Sequence, residues 1–173
     1  MNPAITGPSK KSIFLIEDNL ITRNIVEYLI NREFDCTIEN YSDSKTAMLA
    51  IKSKQPDIIV LDYNLNSQDK STEGQGFLKF LKEEKLNIPT VVFSSQENKE
   101  VALKMMRVGA VDYISKNSES YLEDLIASLK NISNLLDSKS EIKYFNKKKK
   151  DNYLRISLIL VFMIVVLSFL LFT

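Results

Sequence analysis

The sequence contains no histidine and only one cysteine among its 173 residues. The absence of histidine excludes a Ser-His-Asp triad and removes the usual histidine ligands of zinc sites. Chemistry that needs a phosphorylated histidine must therefore take that histidine from another protein. The single cysteine, Cys36, excludes a disulfide within the chain, and its position beside Thr37 and Ile38 predicts a half-buried strand residue rather than a reactive thiol.

Positive and negative charges nearly balance, with a net charge of only +1, but they are unevenly distributed along the chain. From Lys139 onward there are seven Lys or Arg residues and two acids, a net charge of +5, and residues 1–138 carry 16 against 20, a net charge of −4. A mildly acidic domain with no basic face beside a recognition motif is not typical of nucleic-acid binding. We therefore expect no nucleic-acid partner.

Residues 156–172 contain no charged side chain, and only Ser157 and Ser168 are polar. A helix of these 17 residues would be roughly 26 Å long, slightly less than the ~30 Å thickness of a membrane hydrocarbon core. Tyr153 and Arg155 can lengthen the span by lying at the interface. Since every face of the segment is apolar, a transmembrane helix fits better than a helix in the membrane plane. A buried C-terminal helix is the remaining alternative.

Four consecutive lysines, Lys147, Lys148, Lys149 and Lys150, precede this apolar segment. Such a run is often only a solvated tail. Lysines that flank a short membrane span are biased to the cytoplasmic side, however, and the adjacent apolar segment favours that interpretation. We therefore expect a single-pass protein of the cell inner membrane or plasma membrane, with its large domain facing the cytoplasm.

Runs of strand length alternate with helical patterns through the first 138 residues. The predicted strands are residues 13–16, 36–40, 58–61, 90–93 and 111–114. The predicted helices are one after Asn19 and those at residues 44–54, 77–84, 97–108 and 121–136, and residues 63–75 are predicted to form a polar loop. Strict alternation of five strands and five helices predicts an α/β domain with a doubly wound parallel sheet. The less apolar second strand suits an edge of the sheet, and the strongly apolar third strand suits its centre.

Three of the predicted strands end in groups suited to phosphate chemistry. Glu17 and Asp18 follow the first strand, Asp62 follows the third, and Ser115 and Lys116 follow the fifth. The carboxyl ends of parallel strands open into one crevice, where ligands bind. Three carboxylates and a lysine meeting there could hold a divalent metal and anchor a phosphate group.

The order and spacing of these residues resemble the receiver domain of two-component response regulators over about residues 12–136. The resemblance implies a flavodoxin-like, five-stranded parallel sheet in the strand order 2-1-3-4-5. It also implies that Asp62 is the phosphoacceptor, which takes a phosphoryl group from a sensor histidine kinase or a phosphotransfer protein. The expected output is a conformational switch driven by phosphorylation.

The same resemblance implies roles for the other residues of the crevice. Glu17, Asp18, Asp62 and the backbone carbonyl of Asn64 match the ligands of Mg²⁺. The residues expected to contact the phosphoryl group or to relay the switch are Ser94, Tyr113 and Lys116. Each residue alone has an ordinary structural explanation, as a cap, a turn residue or a surface charge, and it is their joint placement at strand ends that favours the site.

The sequence departs from the usual receiver pattern at three places. The loop that follows Asp62 is several residues longer and lacks proline, Asn117 stands where proline is usual after the lysine, and Ser95 replaces a small alanine. These departures leave open a pseudo-receiver that acts as a membrane-localised interaction module without phosphorylation. A phosphohydrolase is less well supported, because Asn64 occupies the position of its second acid.

We expect four segments: an N-terminal tail (residues 1–11), a receiver domain (12–138), a basic juxtamembrane linker (139–152) and a transmembrane helix (153–173). About fifteen residues separate Leu136 from the membrane segment, too few for an effector domain, which needs on the order of 50 residues. We therefore expect the chain to be neither an enzyme nor a DNA-binding protein. Its signal should pass to an unidentified downstream protein.

Overall fold

The computed structural model describes residues 10–65 and 73–171. Within them five strands alternate with five helices: β1 (Lys11–Ile16), α1 (Leu20–Glu33), β2 (Cys36–Tyr41), α2 (Ser44–Ser53), β3 (Ile58–Asp62), α3 (Glu73–Glu83), β4 (Thr90–Ser94), α4 (Lys99–Val108), β5 (Asp112–Ser115) and α5 (Tyr121–Leu171). All neighbouring strands are parallel and lie in the order β2-β1-β3-β4-β5. The predicted flavodoxin-like fold is confirmed.

The sheet forms the centre of the core. Every residue of β3 and β4 is buried, and so are the last four residues of β1, which explains the nearly continuous apolar runs in these strands. In the edge strand β2 only Cys36 is buried, and the other residues are half-buried or exposed. The predicted central position of the third strand and edge position of the second are both confirmed, and Cys36 is buried rather than half-buried.

Side-chain caps fix where three of the helices begin. Asn19, Asp43 and Asn98 each accept a hydrogen bond from a backbone N–H group in the first turn of α1, α2 and α4, respectively. The last of these helices ends at Gly109, whose φ of 132° is a conformation that glycine adopts without strain. The Asn19 cap is important for the site because α1 begins directly after Glu17 and Asp18.

Several predicted boundaries differ from the structure. Residues 73–75 begin α3 rather than ending the polar loop, and residues 66–72 of that loop lie outside the described residues. Because Asn98 caps α4, that helix begins at Lys99 and not at residue 97. Two apolar side chains of α1 and α2, Ile21 and Leu49, are 71% and 68% exposed, since the buried stripes of their helices are formed by other residues.

Two glycines near the start of α3 stand in different surroundings. A Cβ on Gly74 would lie 3.0 Å from the Cα of Tyr63, whereas a Cβ on Gly76 would meet nothing within 4 Å. We therefore expect Gly74→Ala to lower the free energy of unfolding by about 1–3 kcal/mol, because the backbone next to Asp62 must shift. Gly76→Ala should raise it by about 0.5–1 kcal/mol through helix propensity. Urea denaturation of both variants measures the free energy of unfolding. Equal changes in the two variants would contradict the close approach of Gly74 to the Tyr63 backbone.

The chain divides into two compact units, Met1–Ser133 and Asn134–Thr173. In the first unit, Leu125, Leu129 and Ile132 of α5 are buried and form an apolar stripe at helical spacing. The helix was predicted to end at residue 136, but it continues to Leu171. No proline or glycine follows Gly109, so the sequence contains no strong helix breaker in this region.

In the second unit, the described side chains are mostly exposed, including the apolar ones of residues 156–168. One helix of the described chain, within Tyr121–Ser168, has an apolar window long enough to cross a membrane, and none of that window is buried. A buried C-terminal helix therefore does not describe this segment.

Candidate functional site

Three carboxylates meet at the carboxyl end of the sheet. Glu17 and Asp18 follow β1, and Asp62 is the last residue of the neighbouring strand β3, which is parallel to β1 and paired with it up to Ile16 and Leu61. One oxygen from each of the three carboxylates can be chosen so that all lie within 4.8 Å of one another. Glu17 and Asp62 are only 1% and 5% exposed. Three acids placed so close together need a cation to offset their repulsion.

Lys116 supplies one positive charge to this cluster. Its Nζ atom lies 2.7 Å from Glu17 Oε2 and 3.0 Å from Asp62 Oδ2, and its side chain is 13% exposed. Its backbone N–H donates to the Ser94 carbonyl over 2.7 Å, which continues the pairing of β4 and β5 and fixes where the side chain starts. The ammonium group also lies 4.9 Å from the centre of the buried Phe93 ring, a favourable cation–π distance.

One lysine does not fully compensate the carboxylates. Burial, and next the charge of Asp62, raise the pKa of Glu17 from 4.5 to about 7, although the contacts with Lys116 act in the opposite direction. The carboxyl of Glu17 therefore binds a proton near neutral pH in the metal-free protein. A second cation would favour its ionised form instead.

The loop that carries the acidic pair is fixed on both sides of Glu17. The N–H of Glu17 donates to the Tyr41 carbonyl over 2.9 Å, and its carbonyl oxygen accepts from Arg23 Nη1, also over 2.9 Å. The N–H of Asn19 donates to Glu17 Oε1 over 3.2 Å. Sequence reasoning missed Arg23, whose only signal was a basic residue one turn into the helix that follows the acidic pair.

Replacing Arg23 with methionine should weaken Mg²⁺ binding about tenfold or more, because groups that orient metal ligands contribute strongly to affinity. Titration calorimetry of the full chain in detergent measures this effect. The control is Arg32→Met in the same helix, where the guanidinium contacts only the adjacent Glu33 among the described residues. An unchanged Mg²⁺ affinity in the Arg23 variant would show that the arginine only stabilises the fold.

The site opens into a cleft of about 470 Å³. Its lining residues are Glu17, Asp18, Asn19, Leu20, Thr22, Asp62, Asn64, Ser95 and Lys116. The N–H of Asn64 donates to Asp62 Oδ1 over 3.0 Å, so both oxygens of the Asp62 carboxylate have partners. The structure thus brings together the predicted metal ligands and the predicted phosphate anchor.

Of the three residues predicted to contact the phosphoryl group or to relay the switch, Lys116 lines the cleft, and Ser94 and Tyr113 do not. Ser94 is fully buried at the end of β4, and its Oγ atom accepts a hydrogen bond from the Gln96 N–H over 3.1 Å. The Tyr113 hydroxyl donates to the Gln96 carbonyl over 2.7 Å, and burial raises the pKa of this tyrosine. Both side chains therefore contact the same residue of the loop between β4 and α4.

Two neighbours of the predicted residues were also missed. Ser95, noted in the sequence only as a substitution, lines the cleft. The side-chain amide of Asn117 donates to the Ser95 carbonyl over 2.8 Å and so joins the loop after β5 to the loop after β4. The described residues contain no cis peptide bond, so the bond between Lys116 and Asn117 is trans. The hydrogen bond from the Asn117 amide holds the segment next to Lys116 in the observed conformation.

The donor set fits a hard divalent cation. Mg²⁺ prefers oxygen ligands, commonly one or two carboxylates with a carbonyl and retained waters, and the cleft offers carboxylates together with open space. Burial, and next the charge of Asp62, raise the pKa of Glu17, and a bound cation would offset both effects. The remaining predicted residues, the four lysines from Lys147 to Lys150, are exposed in the second unit.

Comparison with known proteins agrees with this geometry. Residues 13–130 match the family described as the response regulator receiver domain, and the chain belongs to that family. It is 31% identical over 110 residues to the Bacillus subtilis (strain 168) protein named Probable C4-dicarboxylate response regulator DctR, covering 60% of this chain and 45% of that protein. It is 26% identical over 127 residues to a protein-glutamate methylesterase/protein-glutamine glutaminase of Treponema denticola, covering 72% of this chain and 33% of that protein.

The chain thus spans between about a third and a half of the length of these curated relatives. Among solved structures, the receiver domain of NtrX from Brucella abortus is 25% identical, with a TM-score of 0.61 and coverage of 70% of this chain and 98% of that one. A LuxR-family two-component response regulator from Aurantimonas sp. SI85-9A1 is 23% identical, with a TM-score of 0.64 and coverage of 72% and 86%. At 23% identity, the similarity to this second structure supports the fold alone.

Proposed function

We propose that this chain is a membrane-anchored receiver that accepts a phosphoryl group on Asp62 from the phosphohistidine of a sensor kinase or phosphotransfer protein. The observation that carries the proposal is the buried Asp62 carboxylate, held 3.0 Å from Lys116 Nζ and grouped with Glu17 and Asp18. The protein has no histidine, so the donor imidazole comes from a partner.

The contacts of Asp62 prepare its carboxylate for attack on phosphorus. The Asn64 N–H and the Lys116 ammonium group hold one oxygen each, which fixes the orientation of the carboxylate. In the transfer, a bond forms between an Asp62 oxygen and phosphorus, and the phosphorus–nitrogen bond of the donor breaks. The electron pair of that bond returns to the donor imidazole. Lys116 then pairs with an oxygen of the transferred group.

Glu17, Asp18, Asp62 and the carbonyl of Asn64 would hold Mg²⁺. When bound, the ion offsets the repulsion between the attacking carboxylate and the anionic phosphoryl group. The protein's own contribution is the fixed position of these oxygens. Arg23 and the Tyr41 carbonyl hold the backbone of Glu17, and the end of β3 holds Asp62.

We further propose that Ser94 and Tyr113 read the phosphorylated state. The Ser94 hydroxyl now accepts from the N–H of Gln96, and it would turn to donate to a phosphoryl oxygen once one is present. Because the Tyr113 hydroxyl bonds the carbonyl of Gln96, movement of this loop would release the ring. The changed surface would then bind a downstream protein.

The membrane part of the proposal is supported by the exposed apolar residues of the second unit and by the four adjacent lysines. In this proposal residues 153–173 span the membrane once, residues 139–152 form a basic helical linker, and the receiver, residues 12–138, faces the cytoplasm. Tethering would keep the receiver near a membrane-bound sensor kinase and raise its effective concentration there.

Incubating the full chain in detergent with acetyl phosphate and Mg²⁺ tests phosphoryl acceptance. Intact-protein mass spectrometry should show the gain of one phosphoryl group, stable in acid and labile in alkali. Asp62→Asn should abolish the gain. Asp35→Asn should preserve the mass gain. Asp35 precedes the amino end of β2, whereas the site lies at the carboxyl ends of the strands; its side chain is 88% exposed and pairs with Lys10.

An equal mass gain in the Asp62 variant would contradict the proposal. If the folded protein gained no mass in the presence of Mg²⁺, the result would favour the phosphorylation-independent interaction module instead. Mg²⁺ affinity separates the phosphorylated receiver from the interaction module. Neutralising Asp18 should weaken Mg²⁺ binding in a functional receiver and should change it little in a module whose acidic site is vestigial.

A further inference from the structure

The longest run of consecutive charged residues of one sign in the sequence lies outside the receiver site. Lys147, Lys148, Lys149 and Lys150 are all exposed, and none forms an ion pair with another residue in the described part of the chain. Residues 139–173 carry a net charge of +5. This charge has no use in the phosphoryl chemistry at Asp62.

The four lysines are consecutive in the helix α5 and therefore point in different directions. Successive residues of an α-helix are separated by about 100°, so four in a row surround the helix axis. We call residues 147–150 the lysine collar. A partner protein or an in-plane surface would contact one side of a helix, as a stripe of residues three or four apart does. A collar is suited to anions that surround the helix.

The lysine collar lies within side-chain reach of the phosphate level of a membrane. If residues 156–172 cross the hydrocarbon core, the backbone of Lys150 lies about 9 Å and that of Lys147 about 13.5 Å beyond its edge, at a rise of 1.5 Å per residue. The head-group region extends about 5–7 Å beyond the core, so the long lysine side chains reach it by extending back toward the membrane. Tyr153 would lie at the boundary, where aromatic residues concentrate, and Lys149 Nζ is 5.8 Å from the centre of its ring.

We propose that the lysine collar is a binding site for the phosphate groups of anionic phospholipids. This inference rests on the proposed membrane span, and it names the lipid class that the span selects. A membrane surface supplies phosphates on every side of a crossing helix, which a single soluble anion does not. Binding would concentrate anionic lipid around the anchor and hold the adjacent helix at a fixed height.

The absence of tryptophan allows a direct test. Tyr144, which is 57% exposed, is replaced by tryptophan to give a single fluorescent reporter near the lysine collar. The full chain is placed in vesicles of phosphatidylcholine that contain either dansyl-phosphatidylglycerol or dansyl-phosphatidylcholine as energy acceptor. At low salt, transfer to the anionic acceptor should exceed transfer to the zwitterionic one about fivefold or more, a factor that corresponds to the attraction of a single lysine.

Two charge variants make the test specific. Changing all four residues of the lysine collar to glutamine should bring the ratio of the two transfer signals close to one. The control changes four exposed lysines of the receiver, Lys45, Lys79, Lys99 and Lys104, to glutamine, which alters the net charge equally and should leave the ratio unchanged. High salt should lower the ratio for the unmodified collar.

The outcomes separate this inference from the proposed function. Failure of the chain to float with any vesicle at high salt would refute the membrane span itself. Flotation with a transfer ratio of one at low salt would refute lipid selection alone. If inorganic phosphate abolished the preference while chloride of equal ionic strength did not, the lysine collar would be a site for free phosphate, which also contradicts the proposal.

Discussion

Replacing Lys116 with methionine is expected to slow phosphoryl acceptance at Asp62 by about two orders of magnitude or more. The substitution removes the only cation within 3.0 Å of both Asp62 and Glu17 among the described residues, and a methionine cannot pair with a phosphoryl oxygen. The rate of mass gain with acetyl phosphate at saturating Mg²⁺ measures this effect. A similar side-chain volume keeps the packing on Phe93 largely intact.

Lys130→Met is the matched control for this prediction. Lys130 is exposed and pairs with Glu33 over 2.8 Å, so losing it should leave the phosphorylation rate unchanged. Mg²⁺ affinity serves as a second readout, because the Lys116 variant should still bind the ion. A Lys116 variant that is phosphorylated within about threefold of the normal rate would remove this residue from the proposed chemistry.

Mg²⁺ affinity is expected to fall about tenfold between pH 8 and pH 6. Burial and the charge of Asp62 raise the pKa of Glu17 to about 7, so at pH 6 a proton competes with the metal for this carboxylate. Calorimetric titration at several pH values measures the change. In Glu17→Gln the affinity should be lower throughout and should lose its dependence on pH in this range.

The same group predicts how the stability of the metal-free protein depends on pH. A carboxyl whose pKa is higher in the folded protein than in the unfolded chain binds its proton more tightly when folded. The contribution of Glu17 to the free energy of unfolding is therefore fully present below pH 4.5 and is lost as the pH rises through about 7. The carboxyls of Glu33, Glu39 and Asp43 have lowered pKa values and stay ionised in that window. Saturating Mg²⁺ should reverse the trend, and a metal-free protein that is equally stable at pH 5.5 and pH 8 would contradict it.

The sheet and its acidic crevice could be predicted because their signals are local in the sequence. Buried parallel strands are continuous apolar runs, and a charged residue that ends such a run must lie at the strand's carboxyl end. Glu17, Asp62 and Lys116 could therefore be placed together without coordinates. The distances between them in the structure follow from the parallel register of β1, β3, β4 and β5.

The contacts around the crevice could not be predicted, because they depend on side-chain geometry between distant residues. Nothing in the sequence indicates that Arg23 donates to the carbonyl of Glu17, or that the amide of Asn117 reaches the Ser95 carbonyl 22 residues away. The departure at residue 117 was visible, but the contact that accompanies it was not. The burial of Ser94, which was expected to face a phosphoryl group, likewise depends on the loop after β4.

The course of α5 shows a different limit of sequence reasoning. The apolar stripe that packs on the receiver ends near residue 136, and the pattern changes there from amphipathic to basic and then to wholly apolar. A change of pattern was interpreted as a boundary, yet helix propensity without proline or glycine carries the helix through all three compositions. Periodicity thus indicates which face is buried and not where a helix stops.

The most direct test of the central claim is to locate the phosphoryl group. After incubation of the full chain with acetyl phosphate and Mg²⁺, borohydride reduces an aspartyl phosphate to homoserine, and peptide mass spectrometry identifies the converted residue. We expect conversion at Asp62 alone, and no conversion when Mg²⁺ is removed. Conversion at Glu17, Asp18 or an exposed carboxylate in place of Asp62 would contradict the proposed phosphoryl-acceptor site.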